Sequence, residues 1–457
     1  MKWKNPLITG TVILTLTGLL SRFIGFFYRI FLSNVFGAEG MGIYQLISPV
    51  LALSFALTVS GIQTAISKYV ASETATKDYH ASFRTLWVGF LFAMLLSIGC
   101  AFFIYERADW IAEVFLMESQ TAPLLRIISL SIPMATVHSC INGYFYGIRK
   151  ATVPAISQLA EQICRVGSVY FINYLFQNHH MTPTLSFAVA GLVIGESASM
   201  LVSIIAILAR ANHVFTAPLP QVLKKEHPAS YGTIARQLLG IAVPLSANRI
   251  ILNLLQSVEA IYIPNRLMQY GLSNSTALSV YGVLTGMSLP LILFPSALTN
   301  SISVLLLPIV AEADASGNSK AVTRAILTSI RYCLLLGFAC TGVFLLIGRQ
   351  AGRFLFHSEL AGSFIMTLSF ICPFLYIAST LNSILNGLGK TTLTFCYSIA
   401  SLLLRLLFVF FAIPIYGIKG YLWGMLASQI LQTCLCTLSA MHISRKTHTC
   451  DSHLNIL

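Results

Sequence analysis

Three arginines sit where a positive charge is costly: Arg22, Arg249 and Arg405 lie deep inside apolar runs, and a fourth, Arg29, stands near the end of the first run, within reach of the outer interface. An ionised side chain deep in hydrocarbon costs roughly 2.5–3.5 kcal/mol on insertion scales, so those that persist face protein or a wet hollow. At 1.5 Å per residue Arg22 lies about 21 Å into the first helix, and Arg249 and Arg405 reach similar depths in theirs. Gly18, Arg22, Gly25 and Arg29 are spaced by four, three and four, which places them on one helical face. A face of glycine and arginine alone does not suit lipid; it suits a cavity, with room beside the cations for something bulky. Guanidinium groups hold phosphate oxygens bidentately, so Arg22, Arg29, Arg249 and Arg405 are candidate substrate-binding residues for an anionic headgroup. The competing reading has them pinned by Glu196 or Glu259.

A second group reads as cavity-lining or switch residues: Glu161, Arg165, Glu196 and Glu259. Glu161 and Arg165 lie four apart and can neutralise each other. In the second half of the chain Arg405 takes the place of Arg165, but Ser401 stands where Glu161 stood. Arg405 must therefore find its counter-ion on another helix or on the substrate. Glu196 reads either as a structural clamp or as a proton- or cation-responsive switch.

The elements that must carry these residues are membrane helices. Of 457 residues 56% are hydrophobic and 9% charged, with mean hydropathy +0.78; soluble domains carry roughly 25% charged residues. Apolar segments fall near residues 7–32, 43–66, 85–104, 123–147, 153–176, 185–209, 236–262, 279–310, 326–348, 362–387, 391–414 and 418–442, each near the length that crosses a bilayer. The first follows Lys2 and Lys4 like a signal peptide but runs on through Arg29, and reads as a retained helix. The expected class is an all-α polytopic membrane protein of about twelve transmembrane helices. The net charge of +13 lies in short loops rather than in a stripe, which argues against nucleic acid. The ten cysteines form no C-x-x-C pair, so neither a metal nor a redox role is expected. The sequence contains no G-x-x-x-x-G-K-[ST] loop and every outer loop is short, so neither ATP use nor a membrane-embedded enzyme is expected.

Positive charges set orientation. Lys68, Lys77, Arg84, Arg149, Lys150, Arg210, Lys224, Lys225, Arg236, Lys320, Arg324, Lys390, Arg445 and Lys446 share one side with Lys2 and Lys4, whereas Arg107, Arg266, Arg349, Arg353 and Lys419 lie opposite. Both termini are therefore expected in the cytoplasm of a cell whose plasma membrane the chain crosses. An internal repeat is also visible: Pro133, Asn142, Gly147, Lys150, Thr152 and Arg165 recur 240 residues later as Pro373, Asn382, Gly387, Lys390, Thr392 and Arg405. Parallel repeats of this kind build transporters with a site between the halves. The expected domains are a six-helix lobe at 1–209, a cytoplasmic linker at 210–235, a second six-helix lobe at 236–444 and a cytoplasmic tail at 445–457, with the two lobes around a central cavity. Arg22 aligns with Arg249, so each lobe is expected to present a cation at the same depth.

Four stretches carry a family resemblance: SRFIGFFYRIFLSNVFGAEGMGIYQ (21–45), SGIQTAISKYVASE (60–73), INGYFYGIRKATVPAISQLAEQICRV (141–166) and YGVLTGMSLPLILFPSALTNSISVLLLPIVAEA (281–313). The chain resembles the stage V sporulation protein B and polysaccharide-export branch of the multidrug/oligosaccharidyl-lipid/polysaccharide exporter superfamily, which also contains the peptidoglycan lipid II flippase. The resemblance implies a carrier that moves undecaprenyl-pyrophosphate-linked saccharides outward by alternating access of two lobes, alongside enzymes of cell-wall or polysaccharide synthesis. The peptidoglycan flippase carries two essential first-helix arginines, a role that passes to Arg22 and Arg29; its second-helix arginine has no match, since Tyr44 and Gln45 occupy that region. No cofactor is expected, and coupling could come from membrane potential, H+ or Na+. The alternative on the same fold is a cation-coupled multidrug exporter, which would call for unpaired carboxylates in the cavity.

Overall fold

The computed structural model describes residues 6–215, 230–296 and 319–454, together with 299, 310, 312 and 316, and among these the secondary structure is helical with no strand. Nine helical stretches are long and apolar enough to cross a membrane, ten if the bent pair Ser119–Ser129 and Ser131–Gly147 counts as one span. One stretch, Val12–Ala75, is 64 residues long. At 1.5 Å per residue it would extend about 96 Å, far more than one crossing. It is kinked at Gly37 (φ 67°) within α1 (Pro6–Leu46) and divided again near Ile47 from α2 (Ser48–Phe55), which continues through a wide turn into α3 (Gly61–Ala75). The architecture is thus consistent with the twelve helices expected. The helix α4 (Tyr79–Glu106) shows the membrane-facing pattern, with Leu91 and Leu95 70% and 72% exposed on a surface of the molecule.

By contacts the chain forms two units: Met1–Tyr28 with Leu46–Ser257, and Arg29–Gln45 with Val258–Leu457. These do not coincide with the expected lobes at 1–209 and 236–444. Two long helices, α1 and the helix Tyr231–Gln269, each contribute one part to either unit. The reason lies in small residues. In unit 1 a Cβ on Gly61 would lie 2.2 Å from the carbonyl oxygen of Ala242, so α3 and residues 231–257 touch backbone to backbone. Tyr69 Oη donates to Gln237 O at 3.2 Å, and Asn253 Nδ2 to Ala52 O at 2.9 Å. In unit 2 a Cβ on Gly282 would meet Ala38 O at 2.1 Å and Gly42 N at 2.5 Å, which fixes Arg29–Gln45 onto the helix Asn274–Gly282. Of the expected linker, 216–229 lies outside the described residues. The last helix runs to Leu454, into the stretch expected to be a tail, whose residues 455–457 also lie outside the description.

Unit 1 has a core in which Ile66, Val70, Phe83, Tyr144 and Leu238 are buried together, with the Phe83 and Tyr144 rings 5.2 Å apart edge to face. Its later helices are α5 (Ala122–Ser129), α6 (Ser131–Gly147), α7 (Thr152–Asn178) and α8 (Leu185–Phe215). Unit 2 repeats the turn that follows α6. Lys150 N donates to Phe145 O at 2.9 Å, and Lys390 N to Leu385 O at the same distance. The left-handed position in this turn is Arg149 (φ 59°) in unit 1 and Gly389 (φ 73°) in unit 2; an L-residue there costs roughly 1–2 kcal/mol. Pro133 and Pro373 lie in the first turn of their helices, just past a break, where a missing N–H does least harm.

Candidate functional site

A Cβ added to Gly18 or Gly25 would find no atom within 4 Å, and Arg22 between them is exposed. Arg249, on the helix Tyr231–Gln269 (α9), is likewise exposed, as is Gln256 seven residues along the same face. Both arginines belong to unit 1. This differs from the expectation of one cation per lobe, because α9 packs its first part on α3 rather than with the helices that follow it. Arg29, the first residue past the boundary, lies in unit 2 and is half-buried. Arg126 pairs with Asp109 at 2.6 Å on an exposed surface.

The second group separates into two buried clusters. In unit 1, Arg165 Nη2 contacts the Glu161 carboxylate one turn before it and lies 3.7 Å from Glu196 Oε1 on α8. Glu196 Oε2 in turn is 2.7 Å from His138 Nε2 on α6. The four side chains are 13–19% exposed. What brings them together is again a close backbone approach: a Cβ on Gly195 would lie 2.9 Å from Glu161 O and 3.0 Å from Arg165 Cβ. Ligand atoms of His138, Glu161 and Glu196 lie within 4.8 Å of one another, a spacing that suits a metal ion. The guanidinium of Arg165 already bridges the two carboxylates, however, and offsets one of their two charges.

In unit 2, α9 carries Glu259 against the helix Thr391–Leu407. Arg405 Nε lies 2.6 Å from Glu259 Oε1, and Tyr421 Oη donates to the same oxygen at 2.6 Å. The counter-ion that Arg405 lacks on its own helix thus comes from another one. Arg405 is a neutralised arginine in a buried site, whereas Arg22 and Arg249 stand on exposed surface. Sequence reasoning overlooked His138 and Tyr421. A histidine in the apolar run 123–147 was the available signal for the first; nothing in spacing marks the tyrosine.

Comparison with known proteins agrees with this architecture. A family model described as polysaccharide biosynthesis protein matches residues 7–313. Stage V sporulation protein B of Bacillus subtilis is 26% identical over 434 residues, covering 94% of this chain and 83% of that protein. Lipid II flippase MurJ of the same organism is 24% identical over 404 residues, covering 85% and 74%. Among solved structures, an inward-facing multidrug resistance MATE family transporter of the MOP superfamily superposes with TM-score 0.68 at 15% identity, covering 94% of this chain and 96% of that one. A MOP superfamily transporter from Pyrococcus furiosus, itself with a binding pocket of reverse polarity, gives TM-score 0.66 at 14% identity, covering 97% of each. The chain is a multi-span membrane protein with the fold of these transporters.

Proposed function

The chain belongs to the polysaccharide biosynthesis protein family, and from that premise we propose that it is a flippase exporting an anionic lipid-linked saccharide, such as an undecaprenyl-pyrophosphate-linked cell-wall or polysaccharide precursor, by alternating access. The observation that carries this reading is the open face of α1: an exposed arginine within the first apolar run, flanked by Gly18 and Gly25 with empty space beside them. A cationic face with room for a large group suits a phosphorylated headgroup, and Arg249 adds a second exposed cation in the same unit. The similarity to the lipid II flippase points the same way.

The energetics need no nucleotide. One charge moving through 100 mV is worth about 2.3 kcal/mol, so two negative charges leaving an interior-negative cell gain about 4.6 kcal/mol. A carrier that keeps its arginines charged also returns inward downhill. On this reading the protein lies in the plasma membrane with both termini in the cytoplasm and works alongside enzymes of cell-wall or polysaccharide synthesis. A drug exporter on the same fold would need exposed carboxylates to attract organic cations, whereas Glu161, Glu196 and Glu259 are each held by an arginine. The test is Arg22→Ala in proteoliposomes with fluorescent polyprenyl-pyrophosphate saccharide: flipping should fall at least tenfold. Wild-type rates in that variant would overturn the assignment.

A further inference from the structure

The clusters of unit 1 and unit 2 are related by the repeat, since Arg165 corresponds to Arg405, but their charges differ. In unit 2 one carboxylate meets one guanidinium, Glu259 with Arg405, and the sum is zero. In unit 1 two carboxylates, Glu161 and Glu196, meet one guanidinium, and with a neutral His138 the sum is −1. An unbalanced charge in a largely buried site is unfavourable. A single proton removes the imbalance, and His138 Nε2, 2.7 Å from Glu196 Oε2, is placed to carry it. We propose that His138, Glu161, Arg165 and Glu196 form a proton-binding site that takes up one proton on the His138–Glu196 pair, making the packing of α6, α7 and α8 responsive to protonation.

The groups around the site leave this charge count intact. The helix α3 meets α6 at Gly143 and Gly147 through Gln63, Ser67 and Val70, none of them charged. Five residues separate His138 from Gly143, about 140° round the helix, so the ring faces away from α3. Elsewhere on the helices packed here, Glu73 accepts from Thr85 Oγ1, Arg126 pairs with Asp109 and Arg210 lies over the Tyr79 ring. Lys68 is exposed on α3, and His80 and Arg84 stand in the first turns of α4. The nearby thiols and phenols, Cys140 and Tyr144 on α6 and Cys164 and Tyr170 on α7, are neutral in their ordinary state. The proposal does not depend on which lipid is carried.

The test is solid-state NMR of the full chain in lipid bilayers with 15N-labelled histidine and 13C-labelled glutamate, where a His138 resonance is identified by dipolar coupling to a glutamate carboxyl. In the wild type that ring should change from neutral to doubly protonated within pH 5–8. Glu161→Gln removes a negative charge that does not touch His138, and should move the titration midpoint by more than one pH unit. Glu161→Gln with Arg165→Gln restores the sum to −1 and should bring the midpoint back. A wild-type ring that stays neutral across the whole range, which needs no variant to fold, overturns the proposal. So does an Glu161→Gln midpoint equal to that of the wild type.

Discussion

The buried pair in unit 2 gives the account its sharpest energetic test. Glu259 and Arg405 are 7% and 17% exposed, 2.6 Å apart, and Tyr421 donates to the same carboxylate oxygen. Glu259→Gln keeps an acceptor for the phenol and nearly the same volume, but leaves the Arg405 guanidinium without a counter-charge. Removing one partner of a buried pair costs about 3–5 kcal/mol. Removing both is far milder, because the desolvation cost of the two charges goes with them. Glu259→Gln with Arg405→Gln should therefore recover about 2–3 kcal/mol of the sum of the single losses. The assay is unfolding of the purified protein in mixed detergent and dodecyl sulfate, followed by circular dichroism. Arg126→Ala, which breaks the exposed pair with Asp109, serves as the internal comparison and should change stability by no more than about 1 kcal/mol. If Glu259→Gln is no worse than Arg126→Ala, or if the two single losses simply add, Glu259 and Arg405 do not neutralise each other as a buried pair.

Two further expectations concern glycine. Gly282→Ala places a methyl group 2.1 Å from Ala38 O, against backbone that cannot swing aside, and should destabilise by about 1–3 kcal/mol or more in the same unfolding assay. Gly25→Leu meets open space, so stability should hold within about 0.5 kcal/mol; if this face receives a headgroup, flipping should nonetheless be lost.

The chain wrote its repeat plainly because turns and breaks need particular residues. Pro133 and Pro373 mark the same helix break, and the turns at Lys150 and Lys390 close with the same hydrogen bond, so a 240-residue offset read from residue types appears as geometry. The Glu161–Arg165 contact was also legible, since four residues make one turn and a little more. The division into units was not. Hydropathy says that α1 and α9 are membrane helices, but which neighbour each part packs against depends on close approaches such as Gly61 on Ala242 and Gly282 on Ala38, which are non-local. The same limit hid the Glu259 counter-ion of Arg405, 146 positions away in sequence, and the meeting of His138 with Glu196 across 58.

The proposed flippase activity assigns the exposed arginines of unit 1 to an anionic lipid-linked saccharide. Its most direct test is transport by purified protein in liposomes, comparing a fluorescent polyprenyl-pyrophosphate saccharide with an organic cation such as ethidium under an imposed potential. The expected result is flipping of the pyrophosphate lipid, faster when the side it leaves is negative, with no ethidium movement above protein-free vesicles. Ethidium transport with an immobile pyrophosphate lipid would contradict the account and leave the cation-exporter reading in its place.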